Sequence, residues 1–248
     1  MFIDSIMKLL IAVFIVSSNV FAAHLPSSFI RCHRRDSLCL KKAVQDAFPK
    51  FKNGLPEYGL PPSDPLLVPE IVIGAGERVV QLKQTYKNAS ISGLSRGILT
   101  YFNMDLEKGK IVMNIEMDHL ILSGKYVANG KILVIPVNAV GDFQIILDNA
   151  LSTLKFDIEI YKKNDVKHIR GTAANLVMKV KHASYKFTDI FGKNTEIGKS
   201  LNKVLNENWK IVYDELVPSY TEAYAQVMMQ MMNRLFAKVP LSEIFLDQ

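Results

Sequence analysis

The stretch "LKFDIEIY", residues 154–161, alternates apolar and polar side chains for seven positions. In a strand, side chains two residues apart lie on the same face. The apolar face would carry Leu154, Phe156, Ile158 and Ile160. The opposite face would carry Lys155, Asp157 and Glu159. This pattern is typical of a strand in an antiparallel sheet with one dry face and one wet face.

The same period of two extends along the chain on both sides of this stretch. It runs through "GILTYFNMDLEKGKIVMNIEMDHLILSGKYVANGKILVIPV", residues 97–137, and "NLVMKVKH", residues 175–182. Lys108-Gly109 and Asn129-Gly130 are turn signals between the predicted strands. The middle of the chain is therefore predicted to be a long antiparallel sheet.

Before the sheet, the spacing of Leu40, Val44 and Phe48 predicts a short helix that starts at Asp36 or Ser37 and ends near Pro49. The next segment, "GLPEYGLPPSDPLLVPEIVI", residues 54–73, contains five prolines. Proline fixes φ and biases the preceding residue toward extended backbone. We expect an extended connector that leads along the outside of the protein into the first strand.

After the sheet, apolar residues recur every three or four positions, as on one face of a helix. They are Leu205, Trp209, Val212, Leu216, Tyr220, Ala223, Val227, Met231 and Leu235. Pro218 is expected to kink this helix or to begin its second part, and the apolar stripe would be roughly 45 Å long. The predicted fold class is α+β: one elongated domain, residues 23–248, in which a highly curved antiparallel sheet wraps a long C-terminal helix.

The N-terminus, Met1 to Ala22, has Lys8, an apolar core and then small residues, which is the layout of a secretory signal peptide. We therefore expect a secreted, extracellular protein without a transmembrane segment. Asn88-Ala89-Ser90 is a glycosylation sequon. The net charge of +6 comes from dispersed basic residues, which does not favour a nucleic-acid partner.

Cys32 and Cys39 are the only cysteines, and in an oxidising compartment they are expected to form a disulfide. The five histidines show no metal-ligand spacing, so no metal site is predicted. No paired carboxylates stand out as catalytic residues.

Two alternative functions have some support in the sequence. "GLSRG", residues 93–97, fits the G-x-S-x-G pattern of a serine esterase with Ser95 as nucleophile, but the residues after it alternate like a strand, where a nucleophile elbow needs a helix. The other alternative is an interaction or membrane-surface module. It would use the basic patch in "RCHRRDSLCLKK", residues 31–42, namely Arg31, Arg34, Arg35, Lys41 and Lys42.

Four motifs in order make the chain resemble the takeout and haemolymph juvenile-hormone-binding proteins of insects. The first two are the Cys32/Cys39 pair and the proline segment with Gly54, Pro56, Asp64, Pro65 and Leu66. The third is "GKYVANG", which resembles a family hairpin at Gly124, Tyr126 and Gly130. The fourth is "LNENWKIVYDELVP", with Asn206, Asn208, Trp209, Glu215, Leu216 and Pro218.

The resemblance implies a non-enzymatic carrier with an internal apolar tunnel and no cofactor. Its ligand would be a small hydrophobic molecule, either a juvenile-hormone-like terpenoid or a fatty-acid-like lipid. Strand alternation makes Tyr126 the candidate polar anchor for that ligand. The predicted lining residues on the helix are Trp209, Tyr220, Tyr224, Val227, Met228 and Met231. We expect a monomer linked to hormone, feeding or clock signalling, with a receptor or a membrane surface left open as a further partner.

Overall fold

The computed structural model describes residues 24–74, 80–132, 134–191 and 195–247. The predicted signal peptide, residues 1–22, lies outside them. Helix α1 spans Ser37–Lys50. The seven strands are β1 Leu66–Ile73, β2 Val80–Ser92, β3 Ile98–Asp105, β4 Lys110–Ile132, β5 Ile135–Lys163, β6 Val166–Lys179 and β7 His182–Phe187. The later helices are α2 Glu196–Glu207, α3 Trp209–Phe236 and α4 Leu241–Ile244.

The strands form one antiparallel sheet in the order β1-β2-β4-β5-β6, with β3 also paired to β4 and β7 also paired to β5. Its centre is the hairpin of β4 and β5, which are 23 and 29 residues long. Strands of globular proteins usually have three to ten residues. The curved sheet and the long α3 packed along it confirm the predicted α+β fold.

The buried face of the central hairpin changes parity halfway along. In β5 the buried residues are odd-numbered up to Leu147 and even-numbered from Ala150. In β4 the same change occurs between Met117 and Leu120. Asn149, at φ +50°, lies at this point and interrupts the regular pleat. The sheet therefore presents one continuous apolar face, although the buried positions change from odd-numbered to even-numbered residues along each strand.

Of the predicted dry face in residues 154–161, Leu154, Phe156 and Ile158 are buried, whereas Ile160 is 41% exposed near the end of β5. The turn predicted at Lys108-Gly109 is confirmed. The turn predicted at Asn129-Gly130 is wrong, because both residues lie inside β4. Gly130 serves close packing instead: a Cβ there would lie 2.1 Å from the carbonyl oxygen of Gln81 on β2.

Helix α1 begins as predicted, with the Asp36 carboxylate accepting a hydrogen bond from the Cys39 backbone N–H at 2.9 Å. Cys32 and Cys39 form the predicted disulfide. The backbone of Cys32 also pairs with that of Phe245 in an isolated parallel β-bridge. The Cys32 carbonyl oxygen accepts a hydrogen bond from the Leu246 N–H at 3.0 Å. The disulfide therefore joins the start of α1 to the C-terminal segment.

The prediction of an extended outer connector is wrong for its first half. Residues Pro56–Tyr58 form a 3₁₀ turn, and Leu55 and Leu60 exchange two backbone hydrogen bonds. This compact turn buries Tyr58 and Leu60 against Val239, so apolar burial overrides the extended preference of the prolines.

The C-terminal helix breaks at Asn208, between α2 and α3, and not at Pro218, which lies inside the 28-residue α3. Backbone φ and ψ of Asn208 are −110° and 25°, outside the helical region. The helix α2 then packs against β7 while α3 follows the concave side of the sheet.

Three asparagine side chains attach these helices to strand backbones. Asn202 and Asn206 of α2 each accept from and donate to one β7 residue, Phe187 and Tyr185 respectively, at 2.7–2.9 Å. Asn233 of α3 makes the same double contact with Gly171 of β6. Asn202 and Asn206 are four residues apart, which is a rise of about 6 Å along a helix. Tyr185 and Phe187 are two residues apart, which is a rise of about 6.7 Å along a strand. The two spacings match, so both asparagines can reach β7 at once.

Candidate functional site

A cavity of about 260 Å³ lies between the concave face of the sheet and α3, and we name it the main cavity. Its strand-side lining is Ile91, Ile115, Met117, Leu120, Leu122, Ile145, Leu147, Ser152, Leu154, Leu176, Met178 and Tyr185. Its helix-side lining is Tyr213, Leu216, Val217, Tyr220, Thr221, Tyr224, Met228 and Met231. Phe48, Phe51, Ser63 and Leu94 complete it. The lining is almost entirely apolar, which suits a hydrophobic guest.

A second cavity of about 40 Å³, the small cavity, lies toward α2. It is lined by residues of β2, β4 and β5 together with Ile190, Leu201, Leu205 and Val212. Ile145, Tyr185, Leu216 and Tyr220 line both cavities. These four side chains therefore separate the two spaces.

A buried polar cluster of Gln84, Tyr86 and Tyr220 lies at this separation. The Tyr86 hydroxyl donates to Gln84 Oε1 at 2.5 Å, and the Tyr220 hydroxyl lies 2.5 Å from that of Tyr86. The Gln84 Nε2 group has no hydrogen-bond partner among the residues described. Burial raises the pKa of both tyrosines above the ordinary value, so they remain neutral.

Of the predicted helix residues, Tyr220, Tyr224, Met228 and Met231 line the main cavity. Met228 packs against two buried apolar clusters, one that contains Leu120 and one that contains Leu154. Met231 packs against the first of these and against the cluster of Tyr58, Leu60 and Val239. Flexible methionine side chains suit such irregular boundaries.

Tyr126, the predicted polar anchor, lies in the small cavity and not in the main one. Its hydroxyl donates to the Thr188 carbonyl oxygen at 2.8 Å, and its ring packs edge-on against Phe187. Burial raises the pKa of Tyr126 to about 12. The donor of this hydroxyl is already used within the fold, which leaves only its lone pairs for a ligand.

The structure does not bring Trp209 and Val227 into either lining. The Trp209 ring stacks on His182 at 5.0 Å, at the start of α3. Val227 packs against the core cluster formed with β2, β4 and β5. We therefore leave both residues out of the proposed ligand site.

Sequence reasoning missed most of the strand side of the main cavity, including Met117, Leu120, Leu122, Ile145 and Ser152. The alternating pattern identifies such residues as inward-facing, but it does not distinguish those that touch each other from those that border a space. The parity change at Asn149 further obscures which residues of β5 share a face.

Ser95 does not occupy a nucleophile elbow. It lies in a 3₁₀ turn, Leu94–Arg96, followed directly by β3. Its hydroxyl donates to Asp64 Oδ2 at 2.5 Å, and the same carboxylate accepts from the backbone N–H groups of Gly93 and Ser95 at 3.0 Å. The motif therefore fixes the end of the proline segment to the turn before β3.

The hydrogen bonds of the Asp64 carboxylate predict that the free energy of unfolding depends on pH. Burial acts to raise the pKa of Asp64, but the hydrogen bonds from Ser95 and Gly93 and the charge of Arg96 outweigh it and hold the pKa below the ordinary value. A carboxyl with a lowered folded-state pKa contributes stability above its unfolded pKa, and that contribution is lost as pH falls through the folded pKa. We expect Asp64→Asn to reduce the free energy of unfolding by about 2 kcal/mol at pH 7.

The difference from wild type should shrink steadily below about pH 4. Urea unfolding of both proteins across this range measures it. Asp118→Asn is the matched control, because Asp118 is an exposed residue of β4. A difference that stays constant down to pH 3 would contradict the assignment.

Three cations of the basic N-terminal patch contact other parts of the fold, although Arg31 and Arg35 remain exposed to solvent. Arg31 donates to the carbonyl oxygens of Ser242 and Phe245, and Lys41 donates to that of Thr100. Arg35 lies 3.4 Å from Glu107. These contacts give the cations a structural role in joining α1 to β3 and the C-terminus.

No cluster of three or more metal-ligating side chains occurs within the parts of the chain that the structure describes. In those same parts, no helix is long and apolar enough to cross a membrane.

Comparisons with known proteins agree with this architecture. The crystal structure of Takeout 1 from Epiphyas postvittana superposes with a TM-score of 0.78 at 29% identity, covering 88% of this chain and 99% of that one. The circadian clock-controlled protein daywake of Drosophila melanogaster is 27% identical over 93% of this chain and 92% of its own length. The juvenile hormone-binding protein of Manduca sexta is 29% identical over 36% of this chain and 39% of its own length.

The family described as haemolymph juvenile hormone binding protein matches residues 9–246, nearly the whole chain. It is a family of binding proteins and not of enzymes, which agrees with the structural role of Ser95. The resemblance seen in the four sequence motifs is confirmed. The chain belongs to the haemolymph juvenile hormone binding protein family.

Proposed function

We propose that the protein is a secreted carrier that holds one small hydrophobic ligand, a juvenile-hormone-like terpenoid or a fatty-acid-like lipid, in the main cavity. The observation that carries the proposal is the apolar space of about 260 Å³ between the sheet and α3. This is close to the lower end of typical small-molecule pockets, about 300 Å³. Each 100 Å² of apolar ligand surface moved out of water would contribute about 2.5 kcal/mol to binding.

Tyr220, Tyr224, Met228 and Met231 would contact the ligand from α3. Tyr126 would contact a ligand only where one extends past the Gln84–Tyr86–Tyr220 cluster into the small cavity. In that case the lone pairs of its hydroxyl could accept a hydrogen bond. A long ligand would thus displace the Gln84–Tyr86–Tyr220 cluster, whereas a short ligand would leave it in place.

Secretion is part of the proposal. It rests on the layout of residues 1–22 and on the Cys32–Cys39 disulfide, which persists in oxidising compartments. Asn88 lies exposed on β2 at a bulge, where a glycan would have room. We propose that it is glycosylated and that the mature protein, residues 23–248, is a monomer.

Native mass spectrometry of the protein secreted from insect cells tests these points together. The intact mass reports cleavage after Ala22, a glycan on Asn88 and the number of subunits. We expect a one-to-one lipid adduct, present on purification or after addition of juvenile hormone or palmitate, that a competing lipid displaces. A folded protein that takes up none of the added lipids would contradict the carrier function.

A further inference from the structure

The inward row of β5 contains a single polar side chain. The row is apolar or glycine at the odd-numbered residues 137–147 and again at the even-numbered residues 150–158, except for Ser152. Ser152 is only 2% exposed to solvent and borders the main cavity. Its neighbours across the sheet, Ile115 on β4 and Met178 on β6, border the same cavity.

The Ser152 hydroxyl has no hydrogen-bond partner within the described parts of the chain. Buried polar groups of folded proteins are nearly always hydrogen-bonded, because an unpaired one costs free energy. The other hydroxyls bordering the cavity include several that already donate within the fold. Tyr213 donates to the Met178 carbonyl oxygen at 3.0 Å, and Thr221 donates to that of Val217 at 2.9 Å. Ser152 thus differs from them in having its donor free to meet a guest.

The described lining of the main cavity carries no Lys, Arg, His, Asp or Glu. Its tyrosines are neutral phenols, since burial raises the pKa of Tyr185, Tyr213, Tyr220 and Tyr224 above the ordinary value. An ionised carboxylate would enter this cavity without a counter-charge, which is far more costly than burying an alcohol or an ester oxygen.

We propose that Ser152 is a ligand-binding residue whose hydroxyl bonds the one oxygen-bearing group of a neutral lipid, an alcohol, ester, ether or ketone, and that the site disfavours ionised fatty acids. This inference rests on the proposed function of the main cavity. It narrows the fatty-acid-like ligands to their uncharged forms, and it places their polar group opposite the middle of β5.

The experiment measures displacement of the fluorescent probe N-phenyl-1-naphthylamine from the delipidated secreted protein at pH 8. The competitors share one chain length: dodecane, dodecanol, methyl dodecanoate and dodecanoate. We expect dodecanol and the methyl ester to bind about tenfold more tightly than dodecanoate. Ser152→Ala should weaken dodecanol and the ester about three- to tenfold and leave dodecane unchanged. Thr153→Ala is the matched control, because Thr153 is the next residue of β5 and borders neither cavity, and it should leave the order intact.

Three results would overturn the proposal and leave the carrier function standing. The first is that dodecanoate binds to the wild type as tightly as its methyl ester does. The second is that Ser152→Ala binds every competitor as the wild type does. The third is that Ser152→Ala weakens dodecane as strongly as dodecanol, which would mean that Ser152 has only a packing role. A folded wild-type protein that binds neither the probe nor dodecane would instead overturn the carrier function, and the inference with it.

Discussion

Replacing Met228 by tryptophan should weaken the binding of a hydrophobic ligand about sixtyfold. Met228 borders the main cavity and packs between two core clusters, so the larger ring would project into the space that the ligand needs. Loss of about 100 Å² of apolar ligand contact corresponds to about 2.5 kcal/mol at about 25 cal/mol per Å². The measurement is the Kd of N-phenyl-1-naphthylamine by fluorescence titration.

The fold should tolerate the change, because the cavity of about 260 Å³ can accept the ring. The matched control is Gln230→Trp, two residues further along α3 at an exposed position, which should bind as the wild type does. Unchanged probe binding by a folded Met228→Trp protein would show that the ligand binds elsewhere.

Replacing Asn206 by alanine should lower the free energy of unfolding by about 3 kcal/mol. The Asn206 side chain accepts from the Tyr185 N–H and donates to the Tyr185 carbonyl oxygen, both at 2.8 Å. Alanine leaves these two backbone groups without their partner, and an unsatisfied buried group costs about 1–3 kcal/mol. Urea unfolding followed by far-ultraviolet circular dichroism measures the change.

Asn208→Ala is the control for this substitution, because Asn208 is exposed and its side chain donates to the Val204 carbonyl oxygen of α2, the helix that it follows, and not to a strand. We expect it to change the free energy of unfolding by less than about 1 kcal/mol. Equal losses from the two substitutions would mean that the contact with β7 adds nothing beyond local helix effects.

The parts of the fold that depend on local pattern could be predicted from the sequence. The alternation in residues 154–161 identifies β5, and the spacing of Leu40, Val44 and Phe48 identifies α1. The Cys32–Cys39 disulfide could be predicted from an oxidising compartment and from the short separation of the two cysteines in the chain. In each case the residues that decide the structure are neighbours in the chain.

The errors arose where distant contacts override local preference. Asn129-Gly130 has the chemistry of a turn, yet Gly130 is required because β2 approaches too closely for a side chain. The prolines of residues 54–65 favour extended backbone, yet Tyr58 and Leu60 fold inward to reach Val239, far away in the chain. The helix breaks at Asn208, where α2 turns aside to bond β7, and not at the proline.

The candidate site was predictable on its helix side and not on its strand side. The apolar stripe of α3 includes Tyr220 and Met231 because one helix face must be buried somewhere. Whether the facing strands fill that space depends on the summed volumes of side chains from five different strands and two helices. No local pattern measures that sum, so a cavity and a filled core look alike in sequence.

The asparagine contacts of α2 have a consequence for self-association. A strand at the border of a sheet exposes unpaired N–H and C=O groups, to which a strand of another molecule can add. On β7, the outward groups of Tyr185 and Phe187 are already occupied by amide side chains that imitate such a strand. These contacts would therefore protect the protein against edge-to-edge polymerisation at this border.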